Sequence, residues 1–204
     1  PRQGGIIALT LEEGDRLLGV DITDGTRDIL LGTRLGIVIR FREEDVRPVG
    51  RTARGVRGIA LGKGNAVIGM VTITGESQSS ILTVTERGYG KRTQVEEYRT
   101  QSRAGKGVIS VKVTEKNGPA ISFHQVWDTD EVMLISAEGM ILRARMTDIR
   151  EIGRNAQGVR LMDLPEDDRL VGVAKLAETD DGDVSEIPGE DIAEASDSDT
   201  EASD

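Results

Sequence analysis

The sequence predicts an all-β fold of four-stranded antiparallel sheets arranged radially as propeller-like blades, followed by a disordered acidic tail. Three observations support this prediction. A pattern of three arginines and a glycine recurs about every 50 residues, which is typical of arrays built from one repeated unit. The apolar runs are short and β-branched or aliphatic, as strands are. The chain has 25 glycines and no long apolar pattern with helical period.

The recurring pattern is Arg, six residues, Arg, three residues, Arg, three residues, Gly, and successive copies lie 52 and 51 residues apart. Four positions that keep register over two such steps are hard to produce by chance. The copies are Arg40, Arg47, Arg51 and Gly55; Arg92, Arg99, Arg103 and Gly107; and Arg143, Arg150, Arg154 and Gly158. We name the arginine positions row 1 (Arg40, Arg92, Arg143), row 2 (Arg47, Arg99, Arg150) and row 3 (Arg51, Arg103, Arg154).

The repeat divides the chain into units at about residues 15–64, 65–117 and 118–167, each with four predicted strands. In the first unit these are residues 17–20, 29–31, 37–41 and 56–61. In the second they are residues 67–70, residues 81–84, a strand that begins at Tyr89, and residues 108–111, and in the third residues 120–123, 132–135, 140–143 and 159–161. We expect residues 1–14 to be the end of a truncated preceding blade. Because residues 168–173 copy residues 15–20, we expect residues 168–177 either to begin a fourth unit or to supply the strand that closes the array.

Charge is divided unevenly along the chain. Residues 178–204 contain twelve of the 36 acidic residues and no Lys or Arg, whereas residues 1–177 carry 24 acidic and 26 basic residues. The tail lacks aromatic residues and cannot bury enough apolar surface to offset the entropy of ordering, so we expect it to be disordered. A near-neutral body with rows of arginine favours a polyanionic partner.

In a radial array, equivalent positions lie on successive blades, so the nine row arginines are expected to line one rim together with Lys106. Guanidinium groups suit phosphate oxygens, and Gly55, Gly107 and Gly158 would let the backbone approach a ligand. Readers of single strands stack bases on aromatic side chains, and this chain has only five aromatic residues. The rim therefore favours duplex DNA held by its backbone. The alternative is that these arginines pair with acids on a solvated surface.

The sequence predicts no catalytic residue and no metal site. It has no Cys, which is compatible with a reducing cytosol, and no apolar window long enough for a transmembrane helix. The single histidine, His124, lies beside Phe123 and near Trp127, where packing is the better explanation. Neither Tyr89 nor Tyr98 has an activating group nearby in sequence. A protein-interaction platform and a glycan-active enzyme remain alternatives, although no convergent carboxylate pair supports the latter.

Three stretches resemble the C-terminal domains of bacterial DNA gyrase A subunits over residues 4–177, and the acidic tail resembles the end of those subunits. The stretches are 88–93 (Gly-Tyr-Gly-Lys-Arg-Thr), 102–110 (Ser-Arg-Ala-Gly-Lys-Gly-Val-Ile-Ser) and 153–159 (Gly-Arg-Asn-Ala-Gln-Gly-Val). The related C-terminal domain of topoisomerase IV is the alternative family.

The resemblance implies a six-bladed β-pinwheel, in which each blade exchanges a strand with its neighbour and duplex DNA wraps around the basic perimeter. It also implies a cytoplasmic, nucleoid-associated parent: an ATP-driven, Mg²⁺-dependent type II topoisomerase that assembles from A and B subunits as A2B2 and introduces negative supercoils. The family's catalytic tyrosine domain and its Gln-Arg-Arg-Gly-Gly-Lys-Gly box have no match here. We therefore expect about half of a disc, without cofactor and without catalysis of its own.

Overall fold

The computed structural model describes residues 6–75 and 77–176, and within them it shows eleven strands and three short 3-10 turns. The acidic tail 178–204 lies outside the described residues, as do residues 1–5. The strands are β1 (Asp28–Thr33), β2 (Ile37–Arg42), β3 (Val67–Ile73), β4 (Ser80–Thr85), β5 (Tyr89–Gln94), β6 (Val108–Ile109), β7 (Ala120–Val126), β8 (Glu131–Ser136), β9 (Ile141–Arg145), β10 (Val159–Arg160) and β11 (Leu170–Lys175). The predicted all-β class is confirmed.

The strands form three antiparallel sheets, which we call blades 1 to 3. Blade 1 has the order β3-β1-β2-β6, blade 2 the order β7-β4-β5-β10, and blade 3 the order β11-β8-β9. The strands β3, β7 and β11 lie next to one another, so they form the inner edge of the array. The short strands β6 and β10 therefore lie at its outer edge, which is the perimeter.

Each complete blade takes two strands from one sequence unit and two from the next. In blade 1, β1 and β2 come from the first unit, whereas β3 and β6 come from the second. In blade 2, β7 and β10 are likewise supplied by the third unit. Consecutive blades are thus joined by strand exchange at both edges, and the blades do not coincide with the sequence units.

Two predicted strands of the first unit, residues 17–20 and 56–61, are not strands in the structure. Their equivalents in later units (β3, β7 and β11; β6 and β10) pair with the blade of the preceding unit, and no such blade exists within the described residues. Backbone groups that lack a ladder partner remain in irregular, solvated segments. Leu18 and Val20 are accordingly exposed, although their apolar pattern is that of a strand.

Two apolar layers hold the blades together. Between blades 1 and 2, Leu30 and Val38 pack with Ile81 and Phe123. Between blades 2 and 3, residues such as Leu82, Val84, Val132, Leu134 and Leu170 form a second layer. Strand β4 is buried at all six positions because its sheet has a blade on each face. Strand β8 instead alternates between half-buried and buried positions, since its blade packs against one neighbour within the described chain.

A 3-10 turn follows the second strand of each hairpin, at Glu43–Asp45, Val95–Glu97 and Met146–Asp148. After the second and third turns the chain runs towards the preceding blade, and the segment after the first turn is their equivalent in the repeat. We call these segments crossover 1 (residues 46–55), crossover 2 (residues 98–107) and crossover 3 (residues 149–158). Crossover 2 ends in β6 and crossover 3 ends in β10, so both cross the perimeter between adjacent blades.

Candidate nucleic-acid interface

The crossovers carry rows 2 and 3 and lie along the outer edges of the blades. Crossover 2 is fixed to β2 by the amide of Gln101, which donates to the Arg40 carbonyl at 2.8 Å. Crossover 3 is fixed to β5 in the same way, by the amide of Ile152 and the Arg92 carbonyl at 2.9 Å. Equivalent side chains on crossovers 2 and 3 therefore occupy equivalent positions on neighbouring blades.

Row 2 is the open row. Arg47, Arg99 and Arg150 stand at the start of their crossovers and are all exposed. Within the described part of the chain, none of their guanidinium groups has a carboxylate at ion-pair distance or a hydrogen-bond acceptor. Their donors are thus available to an external acceptor.

Row 1 differs from the sequence expectation that all nine arginines line the rim. Arg92 is only 7 % exposed; its Nε donates to the Ile149 carbonyl at 2.9 Å, and its Nη1 pairs with Asp128. Arg40 pairs through Nε with Asp28 at 2.7 Å and is half-buried. These side chains face inward because strand exchange places the next unit's crossover on the strand edge that alternation alone assigns to solvent.

The third member of row 1 has a different environment. Arg143 is exposed and pairs with Glu131 on the neighbouring strand β8. Within the described residues no following unit supplies a crossover for it to contact. It therefore shares the register of Arg40 and Arg92 but not their inter-blade contacts.

Two row 3 side chains link their crossovers to the preceding sequence unit. The Nε of Arg103 donates to the Asp45 carbonyl at 3.2 Å, and the Nη1 of Arg154 donates to the Ile109 carbonyl at 3.2 Å. Both side chains are half-buried. Arg51, on crossover 1, is exposed and has no polar side-chain contact among the described residues, as is also the case for Lys106 on crossover 2.

The three repeat glycines have a structural explanation that differs from the predicted approach to a ligand. Gly55, Gly107 and Gly158 all have positive φ, at 82°, 75° and 86°. A Cβ on Gly107 would lie 2.4 Å from the Val38 carbonyl oxygen, and one on Gly158 would lie 2.7 Å from that of Gly90. The close approach is thus between a crossover and its neighbouring strand. Gly55 has no heavy atom within 4 Å of this position.

Lys91 is a site residue that the repeat pattern does not reveal, because the equivalent positions hold Ile39 and Leu142. It is fully buried, and its Nζ donates to the Gly153 carbonyl at 2.6 Å and the Arg154 carbonyl at 2.8 Å. Burial lowers the pKa of Lys91 to about 8; Glu97 opposes this shift and the positive charge of Arg154 adds to it. Lys91 on β5 therefore anchors the backbone of crossover 3 to blade 2.

Other candidate chemistry is weak within residues 6–75 and 77–176. No group of three or more His, Asp or Glu side chains there is arranged to hold a metal ion. His124 is half-buried on the inner strand β7, and burial lowers its pKa, with the charge of Lys175 acting in the same direction. Trp127 packs under Lys175, whose Nζ lies 4.6 Å from the ring centre. None of the helical segments in this part of the chain is long and apolar enough to cross a membrane.

Comparison with known proteins identifies the family. The family model of the DNA gyrase C-terminal domain, a β-propeller, matches residues 1–24, 27–74, 79–119 and 130–177. The DNA gyrase A protein of Salmonella typhimurium is 47% identical over 190 residues, covering 93% of this chain and 21% of that protein. The DNA gyrase A protein of Haloquadratum walsbyi is 48% identical over 180 residues, covering 88% of this chain and 21% of that protein. The chain thus spans about a fifth of the length of these relatives.

Solved structures agree with this assignment. A DNA gyrase A C-terminal domain superposes with a TM-score of 0.78 at 27% identity, covering 85% of this chain and 58% of that one. A DNA topoisomerase IV C-terminal domain superposes with a TM-score of 0.78 at 29% identity, covering 83% of this chain and 52% of that one. The curated relatives separate the two alternatives, because those near 47% identity are gyrase A subunits. The chain belongs to the DNA gyrase C-terminal domain family.

Proposed function

We propose that the perimeter of this pinwheel binds duplex DNA along its phosphate backbone and bends it from blade to blade. One observation carries the proposal: Arg47, Arg99 and Arg150 stand at one repeat position on successive crossovers, exposed and without a polar partner among the described residues. Arg51 and Lys106 add two more open cations to the same edge. A row of guanidinium groups along a curved edge fits a regularly charged polyanion better than a compact ligand.

The aromatic residues support duplex over single-stranded DNA. Tyr98, Phe41 and Phe123 are buried between strands and offer no face to a base. Single-strand binding depends on such stacking platforms, whereas contacts to the duplex backbone need only placed charge. Bending a site of 20–30 base pairs costs roughly 1–6 kcal/mol. Several phosphate contacts spread along an arc are a physically reasonable way to offset that cost.

The parent assembly belongs to the proposal as well. In it, this domain wraps DNA for an A2B2 enzyme, built from the A and B subunits of gyrase, that introduces negative supercoils in the cytoplasm, close to the nucleoid. ATP and Mg²⁺ would act in other domains of that assembly. The described residues here gather no carboxylate cluster suited to Mg²⁺.

The test is the salt dependence of duplex binding. Each phosphate contact contributes about −0.9 to the slope of log K against log salt, so five open cations predict a slope of roughly −4 to −5 on a duplex of about 40 base pairs. Replacing Arg47, Arg99 and Arg150 together by Ala should weaken the slope by about 3. Fluorescence anisotropy over a salt series measures both quantities.

A matched control is available at the β1–β2 and β4–β5 hairpin turns and in the loop before β11. Arg34, Arg87 and Arg169 are also exposed and have no polar side-chain partner among the described residues. Replacing these three by Ala removes the same charge from a different surface and should leave the slope nearly unchanged. Equal losses from both triple variants would show that net charge alone drives binding. A slope near zero in the unaltered chain would favour a protein-interaction platform instead.

A further inference from the structure

The peptide groups immediately before row 2 are held by row 1 of the preceding blade. The Nη1 of Arg40 donates to the Val95 carbonyl at 3.1 Å and to the Tyr98 carbonyl at 3.3 Å. Tyr98 directly precedes Arg99. The Nε of Arg92 donates to the Ile149 carbonyl at 2.9 Å, and Ile149 directly precedes Arg150. The same contact, from a row 1 arginine to the carbonyl just before the row 2 arginine of the next blade, therefore occurs twice.

Row 3 of the following blade holds the same turns from the other side. Arg103 donates to the carbonyl of Asp45, two residues before Arg47. The amide of Arg154 donates to Oε2 of Glu97 at 3.2 Å, and its Nε lies 4.0 Å from that oxygen. Glu97 is two residues before Arg99. Rows 1 and 3 thus converge on the turns that carry row 2.

These contacts are suited to positioning. An arginine side chain whose own groups are buried or half-buried has lost most of its rotamer freedom, so the carbonyls it holds are fixed to the preceding blade. A crossover surface without such contacts would pay the ordering entropy of its side chains when it binds. Charge-assisted donation to a carbonyl is also stronger than a neutral hydrogen bond.

We propose that the row 1 and row 3 arginines that contact a neighbouring unit (Arg40, Arg92, Arg103 and Arg154) are positioning residues that set the place of the row 2 guanidinium groups relative to the neighbouring blades. Resting on the proposed function, this assigns phosphate contact to row 2 and blade-to-blade spacing to these four residues. Arg99 is held by the side chain of Arg40 on one side and, through Glu97, by the backbone amide of Arg154 on the other. Arg150 is held by Arg92, and Arg47 by Arg103, from one side each.

The experiment is a double-mutant cycle between Arg92 and Arg150, measured as duplex affinity at low salt. Arg92→Met keeps an unbranched apolar stem but removes the donors, and it should weaken binding about tenfold, as expected for the loss of one charge-assisted contact. Arg150→Ala should weaken binding at least as much. The double variant should be no weaker than Arg150→Ala by more than about twofold, since Arg92 acts through Arg150. If the loss of affinity in the double variant equals the product of the two single losses, Arg92 acts independently of Arg150 and the proposal is overturned.

The matched control is Arg143→Met, which removes the same charge from row 1 where the side chain is exposed and touches no crossover within the described chain. Its affinity should stay within about twofold of the unaltered chain. A tenfold loss in this variant would mean that overall charge explains the result. Arg92→Lys retains the charge within the fold but cannot reproduce the donor geometry, so it should give an intermediate loss. Full affinity in Arg92→Lys would also overturn the proposal.

Amide hydrogen exchange on the free protein separates this proposal from the proposed function. In Arg92→Met and Arg92→Lys, exchange at residues 149–152 should accelerate, while exchange in β1 stays slow and reports an intact fold. Unchanged exchange at 149–152 would overturn the positioning role whatever the DNA result. Failure of the unaltered chain to bind duplex, with accelerated exchange in the variants, would instead overturn the proposed function and leave the inter-blade contact established.

Discussion

Lys91 shows how a single buried charge anchors the perimeter. Its ammonium donates to two carbonyls of crossover 3, and burial keeps its pKa near 8 against an ordinary value of 10.5. Below about pH 8 the Lys91 side chain is protonated in both the folded and the unfolded chain, so the free energy of burying its charge destabilises the folded state in full. Between the two pKa values the unfolded chain binds more protons, and stability must rise with pH.

Lys91→Met should remove that pH dependence. The free energy of unfolding of the unaltered chain, taken relative to Lys91→Met, should rise by about 2 kcal/mol between pH 7.5 and pH 9.5. Urea unfolding at both pH values measures the difference, in which the contributions of all other titrating groups cancel. Parallel stability profiles for the two proteins would contradict the assigned pKa.

Tyr98 provides a second prediction, on hydrogen bonding between blades 1 and 2. Its hydroxyl lies 2.8 Å from Ser110 Oγ, which in turn lies 3.2 Å from Thr83 Oγ1, and all three side chains are buried. Tyr98→Phe leaves Ser110 with one fewer partner in a place that water does not reach. The free energy of unfolding should fall by about 1–2 kcal/mol, as measured by urea unfolding at neutral pH.

Tyr89→Phe is the control for this prediction. The hydroxyl of Tyr89 accepts from Arg160 at 3.2 Å, and Arg160 is exposed, so water can replace that bond. Its loss should cost less than about 0.5 kcal/mol. Equal effects of the two substitutions would show that the buried hydroxyl chain adds nothing specific to stability.

At the residue scale, the repeat register could be predicted from the sequence, but the roles of the rows could not. Alternation along a strand places Arg40 and Arg92 at the edge of a sheet, and side chains at a sheet edge are predicted to be exposed to solvent. The strand that covers this edge comes from a unit about 50 residues further along the chain. Only the pairing partner decides whether such a side chain faces solvent or the next crossover, and no local pattern encodes that partner.

At the scale of elements, the crossovers depend on backbone contact that only glycine permits. The glycine at the end of each crossover has positive φ, and in crossovers 2 and 3 it lies against a carbonyl of the strand it joins. From the sequence alone, the same glycines predict a close approach of the backbone to a ligand. The structure shows a close approach of two protein segments, a difference that the residue type alone cannot reveal.

Alanine at the three equivalent glycines should separate conformational strain from collision. Gly55→Ala meets no neighbour and should cost about 1 kcal/mol for the left-handed backbone. Gly107→Ala and Gly158→Ala carry the same strain and must also push a carbonyl aside, which adds roughly 1–3 kcal/mol. Urea unfolding of the three variants gives the ranking. A cost at Gly55 equal to the other two would contradict the proposed packing of crossovers against β2 and β5.

At the scale of the whole molecule, strand exchange makes each blade depend on the next unit. The fold class and the period were predictable because the apolar runs and the four-position register survive in every unit. The first strand of each blade was not predictable, because a sequence repeat gives the period of the array but does not show which strands share a sheet. The open ends follow directly: Leu18 and Val20 have no sheet to join within the described residues, and Ile141 on β9 is 63 % exposed where its counterparts are covered.

Charge balance over the whole chain leads to a last prediction, which concerns residues 178–204 outside the described residues. These carry twelve acidic residues and no basic ones, beside a body with a small positive excess. A tethered polyanion at high local concentration should compete with DNA phosphates for the open cations of row 2. Deleting 178–204 should therefore raise duplex affinity several-fold at low salt, and the gain should shrink as salt shortens the screening length.

A tail of equal length in which every Asp becomes Asn and every Glu becomes Gln separates charge from bulk. If the tail competes through its charge, this variant should bind duplex as tightly as the deletion does, and both should converge with the unaltered chain at high salt. If the deletion raises duplex affinity but the neutral tail variant does not, the tail obstructs DNA by its volume. If neither variant gains affinity at low salt, the row 2 arginines are not within its reach, and the acidic segment contributes to solubility alone.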